Sequence, residues 1–168
     1  MNLSGLIFRP IAQGDLPFLQ QLYASTRAEE MSHSGWSSEQ IAAFLLQQFN
    51  AQHQYYQTHF PDGEFFVIER QGQAIGRLYL FWGQTTLNLI DIALLPACIG
   101  HGTGSAILAE LLQRVDACGL ACELSVEHYN PAQRLYARFG FEPVGESGVY
   151  RRLRRAAVAS VDQVVEAS

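Results

Sequence analysis

The sequence contains few cysteines for its length. Its 168 residues include three, Cys98, Cys118 and Cys122, which is an odd number without CxxC spacing. A chain this long can bury a core without disulfides, so we interpret the cysteines as reduced thiols. The pattern argues against a disulfide-stabilised secreted scaffold.

Charged side chains are also scarce, and positive charge is the scarcer kind. Charged residues make up 16% of the chain, and 11 basic against 16 acidic residues give a formal net charge of -5. This balance does not supply the basic face that nucleic-acid binding or docking on an anionic membrane requires. We therefore predict no nucleic-acid partner and no membrane partner, whereas a small cationic partner is compatible.

The first ten residues lack a long apolar run. Arg9 is their only charged side chain, so they resemble neither a signal peptide nor a transmembrane helix. We predict a cytoplasmic protein that folds as one domain over residues 1–168. The small and polar residues from 154 to 168 predict a frayed or loosely packed tail.

Patterns for metal binding and for nucleophilic triads are missing as well. The five histidines share no ligand spacing, so we predict no metal site. No Ser-His-Asp set or thiol-activation motif is recognisable in the sequence. The histidines are His33, His53, His59, His101 and His128.

The apolar residues that are present recur at intervals typical of strands and helices. Residues 5–9 predict a short strand that ends at Pro10. Apolar residues at helical spacing after Asp15 predict a first helix, with Asp15 as its cap. The same spacing after Ser37 or Ser38 predicts a second helix, capped by one of these serines. Residues 26–36 show no clear period, so we predict a loop or a broken helix there.

The rest of the chain continues this mixture of strands and helices. Two aromatic-rich runs separated by Gln-Gly-Gln predict a tight hairpin. Together the elements predict an α+β fold, with a mixed, mostly antiparallel central sheet of about six or seven strands and helices on both faces. The predicted strands are residues 64–70, 74–82, 87–95, 121–126 and a pair within 141–153, and the predicted helices are residues 105–117 and 131–139.

Three alternating glycines, Gly100, Gly102 and Gly104, lie between a strand and a helix. Glycine lets the backbone approach a ligand, and a helix start offers unpaired N–H groups and the positive end of the helix dipole. The turn therefore predicts a phosphate site. It is neither a P-loop, since no Lys-Ser or Lys-Thr follows, nor a GxGxxG motif. The alternative is a connector that only turns the chain tightly.

The segment around this turn resembles the GNAT superfamily of acyl-CoA-dependent N-acetyltransferases. Leu94-Leu95-Pro96 and Gly102-Thr103-Gly104 match the family pattern of a strand ending in hydrophobic-x-Pro, then Gly-x-Gly and a helix. The resemblance implies acetyl-CoA as acyl donor and a monomer or homodimer. It also implies that the backbone of Ile92, Ala93 and Leu94 pairs with the pantetheine arm, and that the amides of Ile99, Gly100, His101, Gly102, Thr103, Gly104 and Ser105 hold the pyrophosphate.

The sequence departs from this pattern at Ile99, where the family usually has Arg or Gln. Loss of one side-chain contact with an anion is an effect of about 1–3 kcal/mol. Backbone amides and the helix dipole supply most of the remaining phosphate binding. We therefore expect acetyl-CoA binding to be retained but weaker.

Residues 124–141 are similar to the second hallmark of the family, a strand, then Asn, then a helix ending Leu-Tyr-x-x-x-Gly-Phe. The resemblance implies that Tyr136 protonates the departing coenzyme A thiolate. A phenol has a reference pKa of about 10 and stays protonated at neutral pH. The alternative is a core tyrosine. Asn130 is expected to cap the helix and, in the family, also binds the cofactor.

A general base must remove a proton from the attacking amine. Asp91 is the first candidate, because a carboxylate between Ile90 and Ile92 in an apolar strand is costly unless it has a function or a partner. The alternative is a paired structural residue. Glu127, together with His128, is the second candidate.

The resemblance implies that the acceptor lies near the connection after the first helix. Glu29 and Glu30 could surround an amine there, and Trp36 could supply a wall or a cation-π face. The alternative is that each is a surface residue. The predicted function is acetyl transfer from acetyl-CoA to a primary amine by direct attack in a ternary complex. The acceptor is a small molecule, a protein amino terminus or a lysine. The alternative function is a non-catalytic acyl-CoA sensor or interaction module of the same fold.

Overall fold

The computed structural model describes residue 1 and residues 3–158. Within this part, the chain forms seven strands and four α-helices, with short 3-10 turns at Gln13–Asp15 and Pro96–Cys98. In chain order the elements are β1 (Leu6–Pro10), α1 (Leu16–Ser32), α2 (Ser38–His59), β2 (Glu64–Arg70), β3 (Gln73–Trp82), β4 (Thr86–Leu94), α3 (Thr103–Ala117), β5 (Ala121–Glu127), α4 (Gln133–Arg138), β6 (Glu142–Ser147) and β7 (Tyr150–Arg155).

The strands form one sheet in the order β1-β2-β3-β4-β5-β7-β6. β4 and β5 are parallel, as a strand–helix–strand connection through α3 requires. The pairs β1–β2, β5–β7 and β6–β7 are antiparallel. The predicted α+β class with a mixed, mostly antiparallel sheet is confirmed.

The contacts within the chain define two compact units. The N-terminal unit consists of Ser4–Tyr79 and Ile92–His101, and the C-terminal unit contains Leu80–Asp91 and the described residues from 102 onward. The expectation of one domain over residues 1–168 stays a prediction.

The C-terminal tail begins later than residue 154. β7 continues through Arg155, because Arg154 and Arg155 donate to Glu123 and Asp116 at 2.6 Å each. The predicted tail of residues 154–168 is therefore wrong at its first two positions. Residues 159–168 lie outside the described part of the chain.

The core of the N-terminal unit lies under its two long helices. Ser37 begins α2 with a capping box, in which the Ser37 hydroxyl accepts from the Gln40 amide at 3.1 Å. The predicted hairpin between β2 and β3 turns at Gln71 and Gly72, both with positive φ, which suits a two-residue loop. The buried core residues here are Leu19, Tyr23, Leu45, Phe49 and Val67.

Asp15 occupies the position before α1, as predicted, but it does not cap the helix with its side chain. Its carboxylate accepts two hydrogen bonds from the Arg9 guanidinium, at 2.8 and 2.9 Å, and one from the Ala12 amide. This pairing lowers the pKa of Asp15. The residue therefore ties β1 to the start of α1.

The predicted loop or broken helix at residues 26–36 is wrong for residues 26–32, because α1 continues without a break to Ser32, whereas residues 33–36 lie between the two helices as predicted. The hydroxyl groups of Ser25, Thr26 and Ser32 donate to carbonyl oxygens three residues earlier. Met31 packs against the core of the N-terminal unit. Tertiary contacts thus extend α1 beyond the segment with recognisable apolar spacing. The spacing was not recognised in the last turns because most of their side chains are polar and exposed.

The C-terminal unit has its core between α3 and the sheet. β5 turns Cys122, Leu124 and Val126 toward this core. The helix predicted at residues 131–139 is shorter, since α4 spans Gln133–Arg138. The buried face of α3 consists of Thr103, Ile107, Leu108, Leu111, Leu112 and Val115.

Candidate active site

The glycine-rich turn reaches α3 through two left-handed residues. Gly100 and Gly102 have φ of 84° and 81°, and Gly102 is the N-cap of α3. A Cβ at either position would meet nothing within 4 Å. Glycine is therefore required by the backbone angle and not by crowding, and the space above both residues is open.

The start of α3 has no side-chain cap. The first helical hydrogen bond runs from the Ala106 amide to the Gly102 carbonyl, at 3.0 Å. The amides of Gly104 and Ser105 precede it in the first turn, where N–H groups have no acceptor within the helix itself. Open space, left-handed glycines and an uncapped helix start fit the pyrophosphate of acetyl-CoA.

The side chains of the turn add no fixed positive charge. Ile99 exposes 61% of its surface, and His101 is also exposed. The phosphate site would therefore depend on backbone amides and on the helix dipole.

β4 extends well past its pairing with β5. The parallel register covers three pairs, from Thr86 with Ala121 to Asn88 with Glu123, and β4 then continues to Leu94. An unpaired strand edge can hydrogen-bond an extended amide-containing ligand. Ile92, Ala93 and Leu94, the residues expected to pair with pantetheine, form the half-buried last part of β4.

Tyr136 lies in α4 and is buried, with 8% of its surface exposed. Its ring packs edge-on against Phe141, with centroids 5.7 Å apart. Burial, and then the negative charges of Asp91 and Glu127, raise the pKa of Tyr136. The phenol is therefore held in its protonated form throughout the neutral range.

The two candidate carboxylates lie on neighbouring strands of the C-terminal unit. Asp91 is half-buried on β4, and Glu127 is half-buried at the end of β5. Both are close enough to Tyr136 to affect its pKa. The structure thus brings together the three residues predicted to be catalytic.

Asn130 lies between β5 and α4 and does not cap the helix. Its Oδ1 accepts from the Ala132 amide at 2.9 Å, and its Nδ2 donates to Glu127 Oε2 at 3.2 Å. α4 begins two residues later than a cap at Asn130 would require, and its N-cap is Ala132. The amide of Asn130 therefore shapes the turn and orients Glu127, and its expected contact with the cofactor stays a prediction.

Cys122 also adjoins this group. Burial raises the pKa of its thiol to about 12, so the thiol is protonated at neutral pH. A protonated, buried thiol is a poor nucleophile. The environment of Cys122 thus disfavours an acyl-cysteine intermediate at this position.

The N-terminal unit contains a cleft of about 430 Å³, which is within the usual size range of small-molecule sites. Two of the three residues predicted to bind the acceptor, Glu30 and Trp36, line it, whereas Glu29 does not. Because α1 is helical here, Glu29 points about 100° away from Glu30 around the helix axis. The lining residues are Arg27, Glu30, Met31, His33, Ser34, Trp36, Phe44 and Gln48.

One wall of the cleft is apolar and the other is charged. The Trp36 ring packs edge-on against Phe44 at 5.1 Å and remains 46% exposed. Arg27 and Glu30 also line the cleft, with Arg27 Nη1 3.3 Å from Glu30 Oε2. The cleft can therefore contact both an apolar group and a polar or charged group of one ligand.

Sequence reasoning missed most of the residues that line this cleft. Residues 27, 30, 31 and 34 have the i, i+3, i+4, i+7 spacing of one helix face, and Phe44 and Gln48 are four residues apart on α2. That spacing was the available signal. It was not used, because residues 26–36 were predicted to be a loop or a broken helix.

Two further observations concern the described residues alone. They contain no group of three or more His, Cys, Asp or Glu side chains that could hold a metal ion. None of the described helices is long and apolar enough to cross a membrane.

Comparison with known proteins gives one family match and a set of similar folds. The model of the Acetyltransferase (GNAT) family matches residues 26–141, well over half of the chain. A Bacillus subtilis (strain 168) protein, provisionally named ribosomal protein bS18-alanine N-acetyltransferase, is 31% identical over 88 residues. This alignment covers 51% of the present chain and 58% of the relative, so the chain spans little more than half of that curated relative.

Solved structures support the same fold. PaiA N-acetyltransferase from Thermoplasma acidophilum, in complex with coenzyme A, has a TM-score of 0.67 at 18% identity, over 90% of this chain and 98% of that chain. A spermidine N-acetyltransferase chimera from Vibrio cholerae SpeG and hSSAT has a TM-score of 0.62 at 23% identity, over 91% and 96%.

The chain belongs to the acetyltransferase (GNAT) family. The predicted family is thereby confirmed. The predicted enzyme class, an acetyl-CoA-dependent N-acyltransferase, and the predicted acyl donor, acetyl-CoA, are those of this family.

Proposed function

We propose that this protein transfers the acetyl group of acetyl-CoA to a primary amine, by direct attack within a ternary complex. The observation that carries the proposal is Tyr136, a buried phenol held in its protonated form beside two carboxylates. A proton donor beside candidate bases is what acyl transfer from a thioester to an amine requires.

Two segments of the chain are proposed to contact the donor, the end of β4 and the turn that leads into α3. Ile92, Ala93 and Leu94 would pair with the pantetheine amides. The amides from Ile99 to Ser105 would hold the pyrophosphate, with the left-handed Gly100 and Gly102 leaving room for it. Acetyl-CoA supplies an activated acyl group and a thiol leaving group.

Tyr136 would donate its proton to the leaving sulfur. The acceptor amine is protonated in water near neutral pH and must lose a proton before it attacks. Asp91 would accept this proton, directly or through water, with Glu127 as the second candidate. Glu127 accepts a hydrogen bond from Asn130, which orients its carboxylate. Asp91 is placed first because it lies between two isoleucines within an apolar strand.

The acceptor side of the proposal rests on the cleft in the N-terminal unit. Glu30 and Trp36 would contact the acceptor, and Glu29 would contribute only long-range negative charge. Two of the relatives described above are named for amine acceptors, an alanine of a ribosomal protein and spermidine. These names support an amine as acceptor, but the two named acceptors differ in size. The cleft volume favours a small molecule over a protein amino terminus or lysine.

The test is a turnover assay with acetyl-CoA and a panel of small amines, amino acids and peptides, followed by mass spectrometry of the acetylated product. The sequence contains no lysine, so acetylation of the enzyme's own lysines cannot imitate turnover. We expect acetylation of at least one amine and its loss in Tyr136→Phe. Turnover that is undiminished in Tyr136→Phe would contradict the proposed proton donor.

Ile99 supports a second candidate, a non-catalytic acyl-CoA sensor or interaction module. It is exposed at the position where the resemblance leads one to expect a basic or amide side chain. A sensor would bind acetyl-CoA saturably and release no coenzyme A with any amine in the panel. The cytoplasmic location and the monomeric or homodimeric state stay predictions.

A further inference from the structure

Gly76 lies in the interior of β3 and is buried. A Cβ at this position would collide with the carbonyl oxygen of Ala93, and it would lie 2.8 Å from Leu94 Cδ2 and 3.2 Å from Leu94 Cα. Gly76 does not have a positive φ, so its backbone angle does not demand glycine. The requirement is one of space, because another backbone approaches closely.

The backbone that approaches Gly76 is the last part of β4. The Leu95 amide donates to the Ile75 carbonyl at 2.8 Å, which holds the two strands together beside the contact. Any side chain at residue 76 would have to displace the main chain of Ala93 and Leu94, because an oxygen and a Cα cannot rotate away as a side-chain end can.

We propose that Gly76 is a positioning residue for acetyl-CoA. Its missing side chain lets the main chain of Ala93 and Leu94 lie close against β3, and this sets the position of the opposite edge of β4, which would pair with the pantetheine arm. This inference rests on the proposed function, which assigns that arm to β4. Displacement of a binding group on the order of 1 Å can cost about a hundredfold in enzymatic rate, so a small shift of β4 would be measurable.

The chain offers a matched control at the other end of the same two strands. A Cβ on Gly83 would lie 2.8 Å from the Thr86 carbonyl oxygen, which is also backbone, and the Gly83 amide donates to that oxygen at 2.9 Å. Gly83→Ala should therefore loosen the pairing of β3 with β4 without displacing Ala93 or Leu94.

The experiment compares Gly76→Ala with Gly83→Ala by thermal unfolding and by calorimetric titration with acetyl-CoA, well below both melting temperatures. We expect both variants to lose stability. The Kd for acetyl-CoA should rise at least about tenfold in Gly76→Ala and less than about twofold in Gly83→Ala. Wild-type affinity in Gly76→Ala, or equal weakening in both variants, would overturn the inference.

A double variant covers the case in which Gly76→Ala does not fold. Gly76→Ala with Leu94→Ala removes the collision with Leu94 Cδ2 and leaves the collision with the Ala93 carbonyl. We expect Gly76→Ala to cost less stability in the Leu94→Ala background than in the wild type, because only the backbone collision is left, and to weaken acetyl-CoA binding at least about tenfold relative to Leu94→Ala alone. Equal affinity of the two would contradict the inference. If the wild type itself does not bind acetyl-CoA, the proposed function fails first.

Discussion

The C-terminal unit and the N-terminal unit contribute candidate site residues in different ways. In the C-terminal unit, Gly102 and Tyr136 belong to short local sequence patterns. The role proposed for Gly102 depends on its backbone angle, and the role proposed for Tyr136 depends on its burial. In the N-terminal unit, Glu30 and Trp36 line a cleft only because two helices place distant positions side by side. A site that depends on local backbone geometry can be predicted from sequence, whereas a cleft formed by the faces of two helices cannot.

The largest effect should come from Gly102→Val, which disrupts the left-handed backbone conformation at the start of α3 in the C-terminal unit. A β-branched residue at φ of 81° is strongly strained, and its side chain would enter the open space above the turn. We expect binding of acetyl-CoA to be abolished, with no saturation at millimolar ligand. Calorimetric titration measures it. Gly145→Val, at a strand glycine with open surroundings and no positive φ, is the control and should bind normally.

The second effect concerns Tyr136→Phe, which keeps the ring against Phe141 but removes the phenol proton. Because general acid catalysis is worth about 10²–10⁴-fold, kcat should fall by that order while the Kd for acetyl-CoA stays within about twofold. Tyr55→Phe, at a half-exposed tyrosine of α2, should leave both unchanged. Parallel loss of affinity and turnover would indicate a packing role instead.

The raised pKa of Tyr136 also predicts a pH dependence. The folded state favours the neutral phenol, so this group contributes stability fully below the unfolded pKa of about 10, and that contribution is lost as pH rises through the higher folded pKa. Wild-type kcat should accordingly show no loss from tyrosine ionisation up to about pH 10. Urea midpoints between pH 8 and 11 should fall less in Tyr136→Phe than in the wild type.

A third, smaller effect separates the two carboxylates. Asp91→Asn should lower kcat about tenfold or more near neutral pH, and Glu127→Gln should lower it less. The loss in Asp91→Asn should shrink as pH rises, since more of the amine is already deprotonated. Complete kcat–pH profiles of both variants provide the measurement. A larger loss in Glu127→Gln would reverse the assignment.

The smallest effect tests the cleft of the N-terminal unit. Trp36→Ala removes its exposed aromatic wall and should raise the KM for the acceptor about fivefold, equivalent to about 1 kcal/mol, with kcat and acetyl-CoA affinity retained. Leu46→Ala, which removes an exposed side chain of α2 outside the cleft, is the control. An unchanged KM for the acceptor would mean that the acceptor binds elsewhere. The N-terminal unit would then not contribute the acceptor site.

Most of the fold was predictable, and so was one half of the candidate site. The hairpin at Gln71 and Gly72, the cap at Ser37 and the turn before α3 are local features, since each depends on a few neighbouring residues. The length of α1 was not predictable, because contacts between Met31 and the core decide it. The hydrogen bond from Asn130 to Glu127 was not predictable either, because it depends on the turn that places the two side chains together.

By itself, the sequence determined the left-handed glycine turn, the family and the position of Tyr136, because backbone angles and short spacings are properties of adjacent residues. Tertiary structure alone decided that Asp91 and Glu127 both act on the pKa of Tyr136. It also decided that Glu30 and not Glu29 lines the cleft, and that Gly76 lies against the backbone of Ala93. Each of these depends on distances between residues far apart in the chain, which packing sets and local sequence does not.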